Sequence, residues 1–308
     1  MPKFFVTGGA GFIGSNLVGR ILKQGEVTVY DNLSSGRRGF LKPFMKDIDF
    51  IKGDLLDKKK LLKSMKGHDF VYHLAANPDI RKGIKETDLD LKQGTMASFN
   101  VLDCMRLNNI NEICFSSSSV VYGEAKEMPT SEDYGPLAPI SLYGASKLAC
   151  EGLVTGFSGT FNMKSWVFRF ANIVGRNSTH GIIYDFVRKL EKNKKQLEIL
   201  GDGRQLKSYL HVDECIDGML FGVGKAKQQV NIFNLGCGDQ IRISRIAEIL
   251  VEELGLDGVE FKYTGGRRGW PGDVPEMMLS MEKINKLGWK AQRNSEQAVR
   301  KAIKELIC

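Results

Sequence analysis

Lys3-Phe4-Phe5-Val6-Thr7-Gly8-Gly9-Ala10-Gly11-Phe12-Ile13-Gly14-Ser15-Asn16-Leu17-Val18 opens the chain, and its reading decides the fold. Lys3 to Thr7 is β-prone, Gly8 to Gly14 is a glycine turn, and Ser15 to Lys23 carries Leu17, Val18, Ile21 and Leu22 at helical spacing. Glu26 to Tyr30 then alternates as a second strand that ends at Asp31. In this setting Gly8 and Gly11 let the backbone turn tightly and approach a pyrophosphate at the helix amino terminus. Gly14 lets helix and strand pack closely.

Asp31, 23 residues after Gly8, is placed to accept hydrogen bonds from an adenosine ribose, and its charge repels a 2′-phosphate. The expected cofactor is therefore NAD rather than NADP. Arg37 and Arg38 pull the other way, either as ligands of that phosphate or as solvent-facing charges past the Ser34-Ser35-Gly36 turn. Further along, Asp49 to Gly53, Asp69 to Ala75, Glu112 to Ser117 and Ser165 to Phe170 read as strands with helical patterns between them. Such alternation predicts an α/β fold with a doubly wound parallel sheet, whose ligands sit at the carboxyl ends of the strands. Asp54-Leu55, Leu74-Ala75-Ala76 and Ser116 to Ser118 close three of those strands, the first pair suited to adenine and the others to ribose and nicotinamide.

Global composition permits an enzyme and narrows the alternatives. A chain of 308 residues with 42% hydrophobic and 26% charged residues builds one large domain or two unequal ones. Its net charge of +8 is spread out, with local clusters only at Lys58 to Lys60, Lys194-Lys195 and Arg267-Arg268. That pattern reads as solvated faces, not a nucleic-acid surface. The six cysteines (104, 114, 150, 215, 237 and 308) lack Cys-x-x-Cys spacing and the four histidines do not cluster with them. No metal is expected, and the thiols fit a reduced, cytoplasmic protein. The glycines and polar residues of Phe4 to Gly19 exclude a signal peptide. No stretch approaches the roughly 18 apolar residues of a membrane span, so no membrane partner is expected.

Tyr143 and Lys147 lie one helical turn apart in Tyr-Gly-Ala-Ser-Lys, so a helix starting near Ser141 sets phenol and ammonium on one face. This spacing alone arises about once by chance in such a chain, and its neighbours give it weight. Ser118 stands 25 residues earlier, at the mouth of the fifth strand, where its hydroxyl bonds the same substrate oxygen that Tyr143 serves. A free tyrosine titrates near pH 10, so base strength near neutrality needs a shift of roughly three units, or about 4 kcal/mol. Lys147 and an oxidised nicotinamide are the cations available to provide it.

Together these motifs resemble an extended short-chain dehydrogenase/reductase of the nucleotide-sugar epimerase/dehydratase family, most similar to UDP-glucose (UDP-galactose) 4-epimerases. The likeness runs from Lys3 to about Ala291. It also rests on Asp31-Asn32-Leu33-Ser34-Ser35-Gly36, His73-Leu74-Ala75-Ala76, Arg169-Phe170-Ala171-Asn172-Ile173-Val174-Gly175, Gly201-Asp202-Gly203, Tyr209-Leu210-His211-Val212-Asp213 and Arg268-Gly269-Trp270-Pro271-Gly272-Asp273. The resemblance implies a Rossmann-type NAD-binding domain at 1–171, with a return segment near 209–236. It also implies a smaller α/β nucleotide-sugar domain at 172–208 and 237–308. Phe12, Ile13, Asn32, Ser34, Ser35, Gly36, Gln93, Ser116 and Ala171 join the cofactor set by the same likeness. So do Asn172, His180, Gly181, Ile182, Leu200, Lys207, Arg268 and Met277 for a UDP-sugar, with Lys207 and Arg268 on the pyrophosphate or, alternatively, plain surface charges.

Two departures stand out: the family usually has Arg where Lys207 stands, and often Asn where Gln93 or Gly94 lies. Dehydratases and decarboxylases of the family carry an acid just after the catalytic serine, whereas Ser119, Val120 and Val121 follow Ser118. The resemblance thus implies NAD-dependent epimerisation at C4 of a UDP-hexose through a 4-keto intermediate, within galactose metabolism. Met277 is of intermediate size and leaves UDP-N-acetylhexosamines open, or else packs in the core. A related NAD-dependent nucleotide-sugar reductase and a non-enzymatic dinucleotide sensor are the alternatives. The family often dimerises through two helices per subunit, and Leu89 to Leu107 and Ser141 to Phe157 are the matching stretches.

Overall fold

The computed structural model describes residues 1–307; Cys308 lies outside the described residues. Seven strands form the main sheet: β1 (Lys3–Thr7), β2 (Glu26–Asp31), β3 (Ile48–Lys52), β4 (Phe70–His73), β5 (Glu112–Ser118), β6 (Lys164–Phe170) and β7 (Val230–Leu235). Their order is β7-β6-β5-β4-β1-β2-β3, and the β1/β2, β1/β4, β2/β3 and β4/β5 pairs are parallel. The strand order reverses between β1 and β4, which is the topological switch point where such sheets bind ligands. Strands buried on both faces need near-continuous apolar runs, and β1 and β4 (Phe-Val-Tyr-His) meet that need.

The chain divides into two compact units. The first comprises 1–118, 142–168 and 222–233, and the second 119–141, 169–221 and 234–308. In the first, Phe5, Tyr30, Leu61, Val71, Leu102, Phe115 and Val167 share one buried cluster. Each such side chain contributes roughly 1.5–3 kcal/mol. In the second, short strands pair as Asn172–Val174 with Tyr209–His211 and Gln196–Ile199 with Glu260–Tyr263. Leu206–Lys207 lies between Ile241–Arg242 and Glu276–Met277. The helix Ile182–Lys192 buries Ile183, Phe186 and Leu190, one stripe at helical spacing, into a core shared with Ile246, Leu250, Val299 and Ile303. Among the described residues no helix is long and apolar enough to cross a membrane.

Two elements differ from the sequence expectation. The first helix spans Phe12–Ile21, beginning directly after Gly11. The expected single helix over Leu89 to Leu107 is instead a π-helical turn, Leu91–Met96, followed by the helix Ala97–Leu107. Apolar periodicity does not distinguish i→i+5 from i→i+4 bonding over one turn.

Candidate active site

The glycine turn closes on itself: Gly11 N–H donates to Gly8 O at 3.0 Å, and Gly8 N–H to Tyr30 O at 3.0 Å. Gly8 has φ +70°, and a Cβ there would lie 2.7 Å from Ala75 N. At Gly14 a Cβ would meet Gly8 O at 2.2 Å, so both positions need glycine for different reasons. Gly11 caps the helix with no side-chain bond, and the amino terminus of such a helix suits an anion. Phe12 is buried and Ile13 half-buried at that helix start.

Asp31 ends β2 with both oxygens engaged. Oδ2 accepts from Ala10 N–H at 3.0 Å and Oδ1 from Leu33 N–H at 2.8 Å, while burial raises its pKa. Each oxygen keeps a second lone pair for a ribose hydroxyl. A Cβ at Gly36 would stand 3.0 Å from Ala10 O and Asp31 Oδ1, and Arg37 N–H donates to Ala10 O at 2.9 Å. The loop through Asn32, Ser34 and Ser35 is thereby folded over the glycine turn. Arg37 and Arg38 are exposed and stack on Phe40 and Phe50, which favours the solvent-facing reading of that pair. Asn32 Nδ2 donates to Asp54 Oδ2 at 2.9 Å, and Leu55 is buried beside it. Leu74 N–H donates to Thr7 O at 3.1 Å, fixing Leu74, Ala75 and Ala76 beyond the turn. A cradle closed to any Cβ, an uncapped helix start and an acid at the end of β2 together fit a dinucleotide.

The three residues expected to be catalytic, Ser118, Tyr143 and Lys147, fall in the same unit. Helix Leu142–Phe161 carries Tyr143 and Lys147, and β5 ends at Ser118. Lys147 Nζ donates to Ser116 O at 2.6 Å, sits 4.8 Å above the Phe115 ring and is 5.8 Å from the Tyr143 ring centroid. That bond ties the ammonium to the strand two residues before Ser118. The expected lowering of the phenol is not found in the chain itself. Burial pushes Tyr143 well above the usual tyrosine range, Asp90 and Cys150 push the same way, and burial also lowers Lys147. Desolvation exceeds the attraction of a cation whose hydrogen bond is spent on a carbonyl.

Around the trio lie His73, named in sequence only as part of a matching run, Asp90, which sequence reading did not single out, and the Gln93-Gly94 pair. His73 is wholly buried between Thr7 Oγ1 (2.7 Å) and Ser98 Oγ (2.8 Å), and burial followed by the Lys147 charge lowers its pKa to about 3. Asp90 is buried. Ser146 Oγ donates to its main-chain O at 2.7 Å. Gln93 lies half-buried in the π turn, and a Cβ at Gly94 would stand 2.1 Å from Ser146 Oγ. A side chain at 94 would require the Ser146 hydroxyl to turn away from its bond to Asp90 O.

In the second unit Lys207 is an inner residue, not a surface charge. Its Nζ pairs with buried Asp273 and lies 5.0 Å from the Trp270 ring. Arg268 donates to Asp273 O and, at 2.9 Å, to Glu124 in an exposed ion pair. Met277 pairs in register with Lys207, and Asn172 Nδ2 donates to Ser208 O at 3.1 Å. Leu200 O accepts from Gln205 Nε2 at 3.4 Å. Ala171 is buried, its N–H bonded to Leu235 O. Gly181, with φ +91°, caps the helix that starts at Ile182, and His180 O accepts from Ser178 Oγ. Asn172, Lys207, Arg268 and Met277 are thus linked through Ser208 and Asp273. Elsewhere His211, Asp213 and Glu305 could together ligate a metal, but Lys301 and Arg176 bond the two acids. The five described cysteines are buried free thiols.

A model of the family described as "NAD dependent epimerase/dehydratase family" matches residues 4–236. Among curated proteins, a putative UDP-glucose 4-epimerase of Methanocaldococcus jannaschii is 29% identical over 305 residues, covering 97% of this chain and 96% of its own. Among solved structures, a UDP-galactose 4-epimerase matches with TM-score 0.90 and 38% identity, covering 99% of this chain and 98% of the other. A UDP-N-acetylglucosamine 4-epimerase from Methanobrevibacter ruminantium M1, in complex with UDP-N-acetylmuramic acid, matches with TM-score 0.88 and 30% identity at 99% and 98% coverage.

Proposed function

From the premise that the chain belongs to the NAD-dependent epimerase/dehydratase family, acting on nucleotide sugars, we propose that it is a UDP-glucose 4-epimerase. The observation that carries this reading is the Lys147 bond to Ser116, which ties the Tyr143 helix to the strand end bearing Ser118. NAD, when bound, supplies a positive charge beside the phenol and a reversible acceptor for the hydride at C4. Tyr143 takes the proton of the C4 hydroxyl and returns it to the same oxygen, while Ser118 hydrogen-bonds that oxygen and holds it in line. Lys147 keeps a charge beside the phenol. Asn172, Lys207 and Arg268 hold the diphosphate and leave the sugar ring ungripped, free to present either face. Arg268 is suited to this because an exposed pair such as Arg268 with Glu124 contributes little and exchanges readily for a diphosphate.

The turn Ser119–Tyr122 that follows Ser118 has no carboxylate, which supports plain redox at C4 over dehydration. Residues 1–171 with the return near 209–236 serve the cofactor, and 172–208 with 237–308 the nucleotide sugar. Leu91, Met96, Phe99, Leu107, Leu142 and Phe161 expose apolar surface on the π turn and the two helices expected to pair, supporting a homodimer. Sedimentation as a 34.4 kDa monomer at tens of micromolar would refute the dimer.

Incubation with UDP-galactose and no added cofactor should yield UDP-glucose. Tyr143→Phe should lose at least ~100-fold in turnover while still binding NAD and UDP. Near-normal interconversion by that variant sinks the mechanism. A second reading, a UDP-N-acetylhexosamine 4-epimerase, is favoured by flexible, half-buried Met277 beside Lys207. Preferred turnover of UDP-N-acetylglucosamine over UDP-glucose would select it.

A further inference from the structure

One buried acid of the first unit takes no part in that chemistry. Asp90 is 2% exposed. Asn77 Nδ2 donates to its Oδ1 at 3.0 Å, whereas Oδ2 is buried with no hydrogen-bond partner. Room for Oδ2 exists because residue 83 is glycine: a Cβ there would stand 2.5 Å from it. The main chain is equally constrained. Ser146, which lies between Tyr143 and Lys147 on the catalytic helix, donates to Asp90 O at 2.7 Å and meets Thr95 Oγ1 at 3.1 Å. Gly94 lets the π turn close onto that hydroxyl. The acid is therefore pinned against the turn that carries the proposed base and its ammonium.

Asn77 after β4 and Gly83 in the short helix Lys82–Lys85 meet its carboxylate, Ser146 of the catalytic helix meets its main-chain O, and its charge acts on Tyr143 and Lys147 on either side of Ser146. Burial raises the pKa of Asp90 itself, while the Asn77 hydrogen bond and the Lys147 charge lower it. Cys150, one turn on, faces the same phenol and ammonium. Of these, Lys147 is the cation and Tyr143 and Cys150 the other titratable groups, and buried Glu151, which accepts from Ser117 Oγ at 2.5 Å, also favours the ammonium at Lys147 ahead of Asp90. A negative charge at Asp90 opposes a phenolate at 143 and favours the ammonium at 147.

We propose that Asp90 is a positioning acid of the Tyr143–Lys147 pair, which together with burial holds Tyr143 as the neutral phenol until further positive charge enters the site. It rests on the reading of Tyr143 as the base. The base is then formed only in the loaded site, and the empty protein carries no buried phenolate. The neutral, near-isosteric Asp90→Asn tests this.

In the NAD-bound protein without substrate, the tyrosinate absorbance that vanishes in a Tyr143→Phe background is followed against pH. Its midpoint should fall by about one pH unit or more in Asp90→Asn relative to the wild type. Asp90→Ser, a second neutral variant, must shift it in the same direction and keeps the test open if the amide disturbs the turn. An unchanged midpoint in a variant that melts like the wild type overturns the proposal. Because no substrate is present, a failed epimerase assay leaves this test intact, and an unchanged midpoint leaves the functional reading intact.

Discussion

Gly14→Ala probes the dinucleotide cradle more sharply than any change to a charged residue. The added Cβ would stand 2.2 Å from Gly8 O, 2.7 Å from Gly9 Cα and 2.9 Å from Gly8 C, all backbone atoms of the turn. Comfortable contact to carbon begins near 3.5 Å, so the helix start must lift from the turn by on the order of 1 Å. Overpacking of this kind costs about 1–3 kcal/mol. If the whole cost falls on the cofactor-competent turn, NAD affinity drops about 5- to 150-fold, since each 1.4 kcal/mol is roughly tenfold. If it falls on the fold, Tm drops by about 2–4 °C per kcal/mol. Fluorescence titration with NAD and a thermal melt of the cofactor-free protein separate the two. Gly39→Ala is the control, because a Cβ there meets nothing within 4 Å. Wild-type affinity and wild-type Tm together in Gly14→Ala would refute the reasoning.

His73 yields a pH prediction. Burial lowers its pKa from 6.5 to about 3, so the unfolded chain binds the extra proton between those values and stability falls as pH drops through that window. The loss amounts to on the order of 3 kcal/mol by about pH 4. His73→Gln, neutral throughout, should show a smaller decline in urea unfolding between about pH 7 and pH 4; equal declines would count against it. Lys207→Met strands buried Asp273 and should cost about 3–5 kcal/mol, with UDP affinity lost as well. Adding Asp273→Leu should restore part of the Tm but none of the UDP binding. Recovery of both would remove Lys207 from the diphosphate set.

Much of the fold is local in origin and so legible. The glycine turn, the strand ending at Asp31 and the Tyr143–Lys147 spacing are each contained in a few residues, where turn geometry and helical period dictate the outcome. The π turn at Leu91–Met96 was hidden, because what favours it is the fit of Gly94 on Ser146, 52 residues away in sequence. Arg37 and Arg38 were ambiguous until Phe40 and Phe50 were seen beneath them.

By itself, then, the sequence determined the doubly wound sheet and the NAD-type cradle, and it proposed Ser118, Tyr143 and Lys147 as one catalytic set. Only the tertiary structure decided their electrostatics. It showed burial outweighing the ammonium at Tyr143, placed His73 between two hydroxyls, and left one oxygen of Asp90 without a partner. The physical reason is that spacing sets which side chains share a face. Desolvation and charge depend on everything packed around them, and those neighbours come from distant parts of the chain.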